Sequence, residues 1–218
     1  MLIKDIKDNK TDNKSCCFGK SQSPIDLPIV SQLNKNQKKI EFNFYSKNAK
    51  VLNTAETVKV EWNGSDVIVN GVKYKLLQFH FHWKSEHTIN GKYFPLEMHL
   101  VYKAIDELLV LGILFDIDDN NENIFLEQFI HKIPDDENSS EEFLLKYPGG
   151  NIVEAWTYDG SLTTPPYLEG VKWFISKEIK MISSKQMMKL KKKNLPTCNN
   201  RDTCDRNDRN IDMVKIII

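Results

Sequence analysis

Cysteine, net charge and long apolar runs are all scarce in this chain, and each shortage excludes something. Four cysteines, Cys16, Cys17, Cys198 and Cys204, serve 218 residues. That is too few, and too unevenly placed, for a disulfide scaffold or a paired CxxC zinc site. They read as mostly reduced thiols in a cytosol-like compartment. Thirty basic and thirty acidic residues cancel, so no global field argues for nucleic acid or an anionic membrane as partner. No stretch reaches the roughly 18–20 apolar residues of a membrane span. The opening MLIKDIKDNKTDNKS has no apolar h-region or small-residue cleavage site, so no signal peptide is expected. Internal repeats and a domain boundary are also lacking.

What is present is strand and turn vocabulary. Short alternating runs dominate from residue 40: KIEFNFY, KVEWNG, DVIVNGVKYKLLQFHFHW, YFPLEMHLVYK and LLVLGILFDI, broken by Asn-Gly and acidic stretches. NENIFLEQFIHKI, residues 121–133, has apolar residues at helical spacing. DDENSSEE, residues 135–142, reads as an acidic loop. SSKQMMKLKKK, residues 183–193, reads as an amphipathic helix opened by a serine cap, with its lysines on a solvated face. The length and the 40% hydrophobic content suit one mainly β domain.

Histidine is also rare: five, of which two stand two apart in QFHFHW, residues 78–83. Alternation puts Gln78, His80 and His82 on one strand face, and Phe79, Phe81 and Trp83 on the other. In LEMHLVYK, Glu97, His99 and Val101 share a face. Asn90-Gly91 between the runs signals a two-residue type I′ turn. If that turn sets the register, paired residue numbers sum to 181, so His82 faces His99 and His80 faces Val101. Three imidazoles then converge from neighbouring strands, where without a cation their desolvation is costly. Three neutral nitrogens and no cysteine fit an open, catalytic Zn2+ site with a fourth position for water. Gln78 and Glu97, each two residues before a ligand on the same face, can orient His80 and His99.

With these motifs on the page, the sequence resembles the α-class carbonic anhydrases, in particular their bacterial-type members. QSPIDL (22–27), QFHFHW, SEHT, EMHLV, VLGILF (110–115), YDGSLTTPPYLEGVKW (158–173) and NNRDTCDRNDRNI (199–211) carry the resemblance over nearly the whole length. It implies an irregular segment over residues 1–20. Residues 21–218 then form a single mainly β (α+β) domain on a large, mostly antiparallel, twisted central sheet with short peripheral helices. It implies a lyase hydrating carbon dioxide reversibly to bicarbonate and a proton by zinc-bound hydroxide, with His80, His82 and His99 as ligands. Thr163 and Glu86 would orient the attacking oxygen, and Thr164 would bind bicarbonate. Val101, Val110, Leu162, Val171 and Trp173 would form the carbon dioxide pocket. His87, Glu97 and Tyr158 would make a supporting network. The resemblance implies carbon dioxide and bicarbonate as small-molecule substrates and a monomer or homodimer; the missing signal peptide, the balanced charge and the lack of a span lead to the expectation of a cytoplasmic protein without nucleic-acid or membrane partner.

The chain also departs from that pattern. Glu56, after Ala55, stands where most active members carry a proton-shuttling histidine; an unperturbed glutamate near 4.3 holds a proton poorly at neutral pH, so weakened proton transfer is expected. Tyr167 replaces the cysteine that bacterial-type members pair with an N-terminal one, which excludes that bridge. Asp202, Cys204, Asp205 and Arg206 replace the usual Pro, Gln, Pro and Leu. The alternatives are a catalytically weak carbonic-anhydrase-like binding protein and a dedicated zinc esterase. The intact histidine trio opposes the first, and the lack of an HExxH helix the second.

Overall fold

The computed structural model describes residues 19–29, 40–147, 151–191 and 195–218. In chain order the strands are β1 (Asp26–Leu27), β2 (Ile40–Phe44), β3 (Lys47–Asn53), β4 (Val58–Trp62), β5 (Ser65–Val69), β6 (Val72–Trp83), β7 (Thr88–Ile89), β8 (Leu96–Lys103) and β9 (Leu108–Ile117). After the one-turn helix α1 (Ile124–Glu127) come β10 (Ser140–Leu145), β11 (Ile152–Ser161), β12 (Glu169–Ser176) and β13 (Lys180–Ile182). Helix α2 (Ser184–Leu190) and β14 (Asp212–Ile217) follow. Apart from the small β1–β7 pair, the strands form one sheet that is mainly antiparallel; β9 pairs in parallel with β12 and β13, and β14 with β2. Pairing runs β6–β8–β9–β12–β11–β14–β2–β5 and back to β6, so the sheet closes on itself into a barrel-like core.

Alternation along the strands divides the interior in two. Phe79, Phe81 and Trp83 of β6, Met98 and Leu100 of β8, and Leu109 and Leu111 of β9 enter the larger cluster. Val110, Leu114, Val171 and Trp173 point to the opposite face, into a second cluster. Fully burying one such phenylalanine or leucine stabilises the fold by about 1.5–3 kcal/mol.

The helical spacing at 121–133 yields less helix than it predicts. Asn123 caps α1 by accepting from the Leu126 amide at 3.1 Å, but the helix stops after one turn. A separate 3-10 turn covers Ile130–Lys132. Phe129, between them, leaves helical geometry (φ −137°), stacks on Phe81 and packs edge-on against Phe79 and tilted against Phe143. Packing into that aromatic cluster overrides the local period. The acidic stretch at 135–142 is a loop only to Ser139. Ser140 begins β10, whose Glu142 lies opposite Lys50 of β3, because a rim strand tolerates charge. Ser183 caps α2 as predicted, in a capping box with Gln186.

The register of the histidine hairpin also differs from prediction. Asn90 (φ 49°) and Gly91 (φ 75°) do make the expected tight turn between Ile89 and Lys92. Beyond it the ladder pairs Ser85 with Phe94 and Lys84 with Pro95, then His80 with His99 and His82 with Glu97. The first arm holds two extra residues between Ile89 and Ser85, so the pairing slips by two. The thiol expectation falls too: Cys204 is disulfide-bonded and Cys198 is free, while Cys16 and Cys17 lie outside the described residues. A disulfide belongs to oxidising surroundings, which removes the cysteine argument for a reducing compartment. No described helix is long and apolar enough to cross a membrane.

Candidate metal centre

Directly opposed residues of a ladder share a face, and three such rows build the centre. The first runs Lys59, His80, His99, Gly112 and Ile175 across β4, β6, β8, β9 and β12. The second, one pleat along, runs Glu61, Gln78, Val101, Val110 and Trp173. The third places His82 opposite Glu97 and Glu97 opposite Leu114. His80, His82 and His99 therefore converge, with possible ligand atoms all within 4.8 Å of one another.

Each ring has one nitrogen committed to an oxygen acceptor. His80 Nδ1 donates to Gln78 Oε1 at 3.0 Å, His82 Nδ1 to the Asn199 carbonyl at 3.1 Å, and His99 Nε2 to Glu97 Oε1 at 2.8 Å. These bonds fix the tautomers and leave Nε2, Nε2 and Nδ1 as lone-pair donors. His82 Nε2 is buried with no hydrogen-bond partner among the described residues, a cost the fold carries unless a cation occupies the position. Burial lowers the pKa of all three rings. For His80 the neighbouring His82 and His99 and the charge of Lys59 add to it, while for His82 and His99 the carboxylate of Glu97 pulls the other way. Neutral rings are what a metal needs. Three imidazole nitrogens and no thiolate fit zinc.

Glu97 anchors the surroundings. Burial raises its pKa, but His87 and His99 outweigh this and hold it well below the usual carboxylate range. Its Oε1 accepts from His87 Nδ1 at 2.7 Å and from His99; its Oε2 accepts from the amides of Glu86 and His87. These amides belong to the two-residue excess of the hairpin arm, so the bulge is tied down by the same carboxylate that orients His99. His87 Nε2 lies 2.7 Å from the Tyr158 hydroxyl, which donates to Ser23 Oγ. His87, Glu97 and His99 also group closely enough to hold a metal, but their mutual hydrogen bonds already use those atoms.

Glu86 is buried with Oε1 3.4 Å from His82 Nδ1 and Oε2 3.8 Å from His99 Nδ1. Burial, with the charge of Glu97, outweighs the His99 ring, the Arg201 amide at 2.9 Å and the Thr163 hydroxyl and leaves its pKa raised to about 7. Among the described residues Oε2 has no partner in good hydrogen-bond geometry. Thr163 is half-buried and Thr164 exposed, on the loop after β11 that is closed by Leu162 and Tyr167 amides donating to Leu168 and Thr164 carbonyls. Val101, Val110, Leu162, Val171 and Trp173 all join the second apolar cluster, and the His99 and Trp173 rings lie 4.9 Å apart. Glu56 is exposed in the β3–β4 turn; its carbonyl accepts from Asn199 Nδ2 at 3.0 Å.

Sequence reasoning gave no role to Asn199, yet it holds both the His82 ring and, through Oδ1, the Trp83 amide. Arg201, like Asn199, is kept in the segment that resembles the family's C-terminus but has no role assigned from sequence, although its amide fixes Glu86. Their contacts join residues more than a hundred positions apart, and no local pattern reports that.

The family model for eukaryotic-type carbonic anhydrase matches residues 7–215. Alpha carbonic anhydrase 8 of Arabidopsis thaliana is 36% identical over 188 residues, covering 82% of this chain but 48% of that protein, so the chain spans about half of that relative's length. Alpha carbonic anhydrase 3 of the same plant is 33% identical over 189 residues, 82% of this chain and 68% of the relative. The structure of alpha-carbonic anhydrase from Thermovibrio ammonificans, in complex with the inhibitor sulfanilamide, superposes with a TM-score of 0.78 at 32% identity, covering 88% of this chain and 87% of that one.

Proposed function

The chain belongs to the eukaryotic-type carbonic anhydrase family, and from that premise we propose that it hydrates carbon dioxide reversibly to bicarbonate and a proton, with zinc held by His80, His82 and His99. The observation that carries the reading is the set of three neutral ring nitrogens, each fixed by an oxygen on the far side of its ring, with His82 Nε2 buried and unpartnered. Zinc bound there would supply a water acidified to about 7, a nucleophile available at neutral pH.

The chain's own residues do the rest. Thr163, donating to Glu86, keeps only lone pairs for the attacking oxygen, and so accepts its hydrogen bond and turns its free pair toward substrate. Glu86 acts through Thr163. The wall of Val101, Val110, Leu162, Val171 and Trp173 suits a substrate without net charge, and orientation rather than covalent bonding lowers the barrier. Thr164, exposed beside Thr163, receives the bicarbonate. The proton leaves past Glu56; at neutral pH a carboxyl is in general a weaker relay than an imidazole.

Stopped-flow hydration of carbon dioxide, on purified protein of measured zinc content, tests this, with His99→Ala as control. The expected result is one zinc per chain, activity lost in the variant, and a maximal rate that climbs when imidazole buffer is added. Zinc-loaded protein without activity would leave the binding-protein reading; a rate indifferent to buffer would remove the weak-relay claim alone.

A further inference from the structure

One charged pair on the histidine face has no part in the scheme above. Lys59 of β4 lies directly opposite His80, and Glu61 directly opposite Gln78. Lys59 Nζ sits 3.1 Å from Glu61 Oε1, with the lysine side chain 33% exposed and the glutamate 46%. Opposed residues in such a ladder have Cβ atoms roughly 4.5–5.5 Å apart, so the ammonium is anchored one strand from the proposed metal. His80 is the half-buried ring of the three; His82 and His99 are buried. Lys59, a third exposed, therefore stands beside the most exposed of the three rings. On the far side of β4 its cross-strand neighbour is Leu52, while Glu61 faces Lys50, itself opposite Glu142. Glu61 thus has Lys50 in register as well as Lys59 for its ion pair, and a pair this exposed holds its charges only weakly.

We propose that Lys59 is a specificity-determining residue that draws small anions, bicarbonate among them, to the His80 side of the centre, and that Glu61 sets how strongly it does so. The inference rests on the reading that zinc occupies the three histidines. Carbon dioxide, being uncharged, feels this cation little; an anion feels it directly. The same ammonium opposes a bound dication.

Inhibition of the zinc-loaded full chain by nitrate is the test, with zinc affinity from chelator competition as a second readout. Lys59→Gln should raise the nitrate inhibition constant roughly three- to tenfold, the effect of one charge several ångströms away in a partly solvated site. Glu61→Gln should lower it by a similar factor. Zinc binding should move oppositely to a structural lesion: tighter in Lys59→Gln, weaker in Glu61→Gln. The differences should shrink as ionic strength rises. Both variants shifting nitrate in one direction, or neither shifting it twofold, overturns the inference while the zinc reading stands. A wild-type chain that retains no zinc overturns both.

Discussion

Gly112 faces His99 across the β8–β9 ladder, and its missing side chain is what the hydrogen-bonded pair of His99 and Glu97 needs. A Cβ there would lie 2.6 Å from Ile175 Cδ1 and 3.1 Å from Glu97 Oε1. The tip of Ile175 can swing away; a carboxylate accepting four hydrogen bonds cannot move without releasing some of them. Gly112→Ala should therefore leave the fold intact but misorient His99, weakening zinc roughly 10- to 100-fold, the usual cost of losing a ligand's outer partner. Chelator competition measures it, and an unchanged affinity would show that Ile175 absorbs the whole clash. In the sequence this glycine is one letter of a core strand. Only the cross-strand partner reveals its task.

The β6–β8 hairpin shows which features of an element can be read from its letters. The shared face of Gln78, His80, His82, Glu97 and His99 followed from alternation and holds in the structure. The partner residues did not, because the bulge at Glu86 and His87 adds two residues to one arm. A slip of two keeps every side chain on its face, whereas a slip of one would have turned all of them over; the convergence of the three histidines is legible for that reason. The turn itself is a local feature and was read correctly. Gly91, at φ 75° with nothing within 4 Å of an added Cβ, is needed for its backbone alone. Gly91→Ala should cost about 1 kcal/mol, a fall of about 2–4 °C in Tm for a chain of this size, read by calorimetry. A larger fall would mean that the turn also sets the bulge. Helix α1 was overcounted because Phe129 answers to the aromatic cluster, a tertiary fact.

At the scale of the whole molecule, the centre ties stability to pH. In the metal-free chain His80, His82 and His99 titrate below their ordinary value of 6.5. The unfolded chain therefore takes up protons first, and the stability these rings lend is complete above 6.5 and lost as pH falls. Glu86 has the opposite sign. With its pKa raised from 4.5 to about 7, its contribution is complete below 4.5 and lost as pH rises toward 7. Three groups outweigh one between those limits. Thermal melts of chelated protein should show Tm falling from pH 7 to pH 5, and falling more steeply in Glu86→Gln; a flat profile would contradict the neutral rings. The closure of the sheet, its parallel pairings and the Cys204 disulfide were invisible in the sequence, because each joins segments far apart with no local signature.

That closure decides where this protein can be lengthened or joined. Among the described residues, only β10 and β13 finish the pairing path without a further neighbour, and unpaired strand margins are where foreign backbone adds on. The histidine-bearing strands, hydrogen-bonded on both flanks, offer no such seam, so self-association or fusion through a margin would leave the chemistry undisturbed.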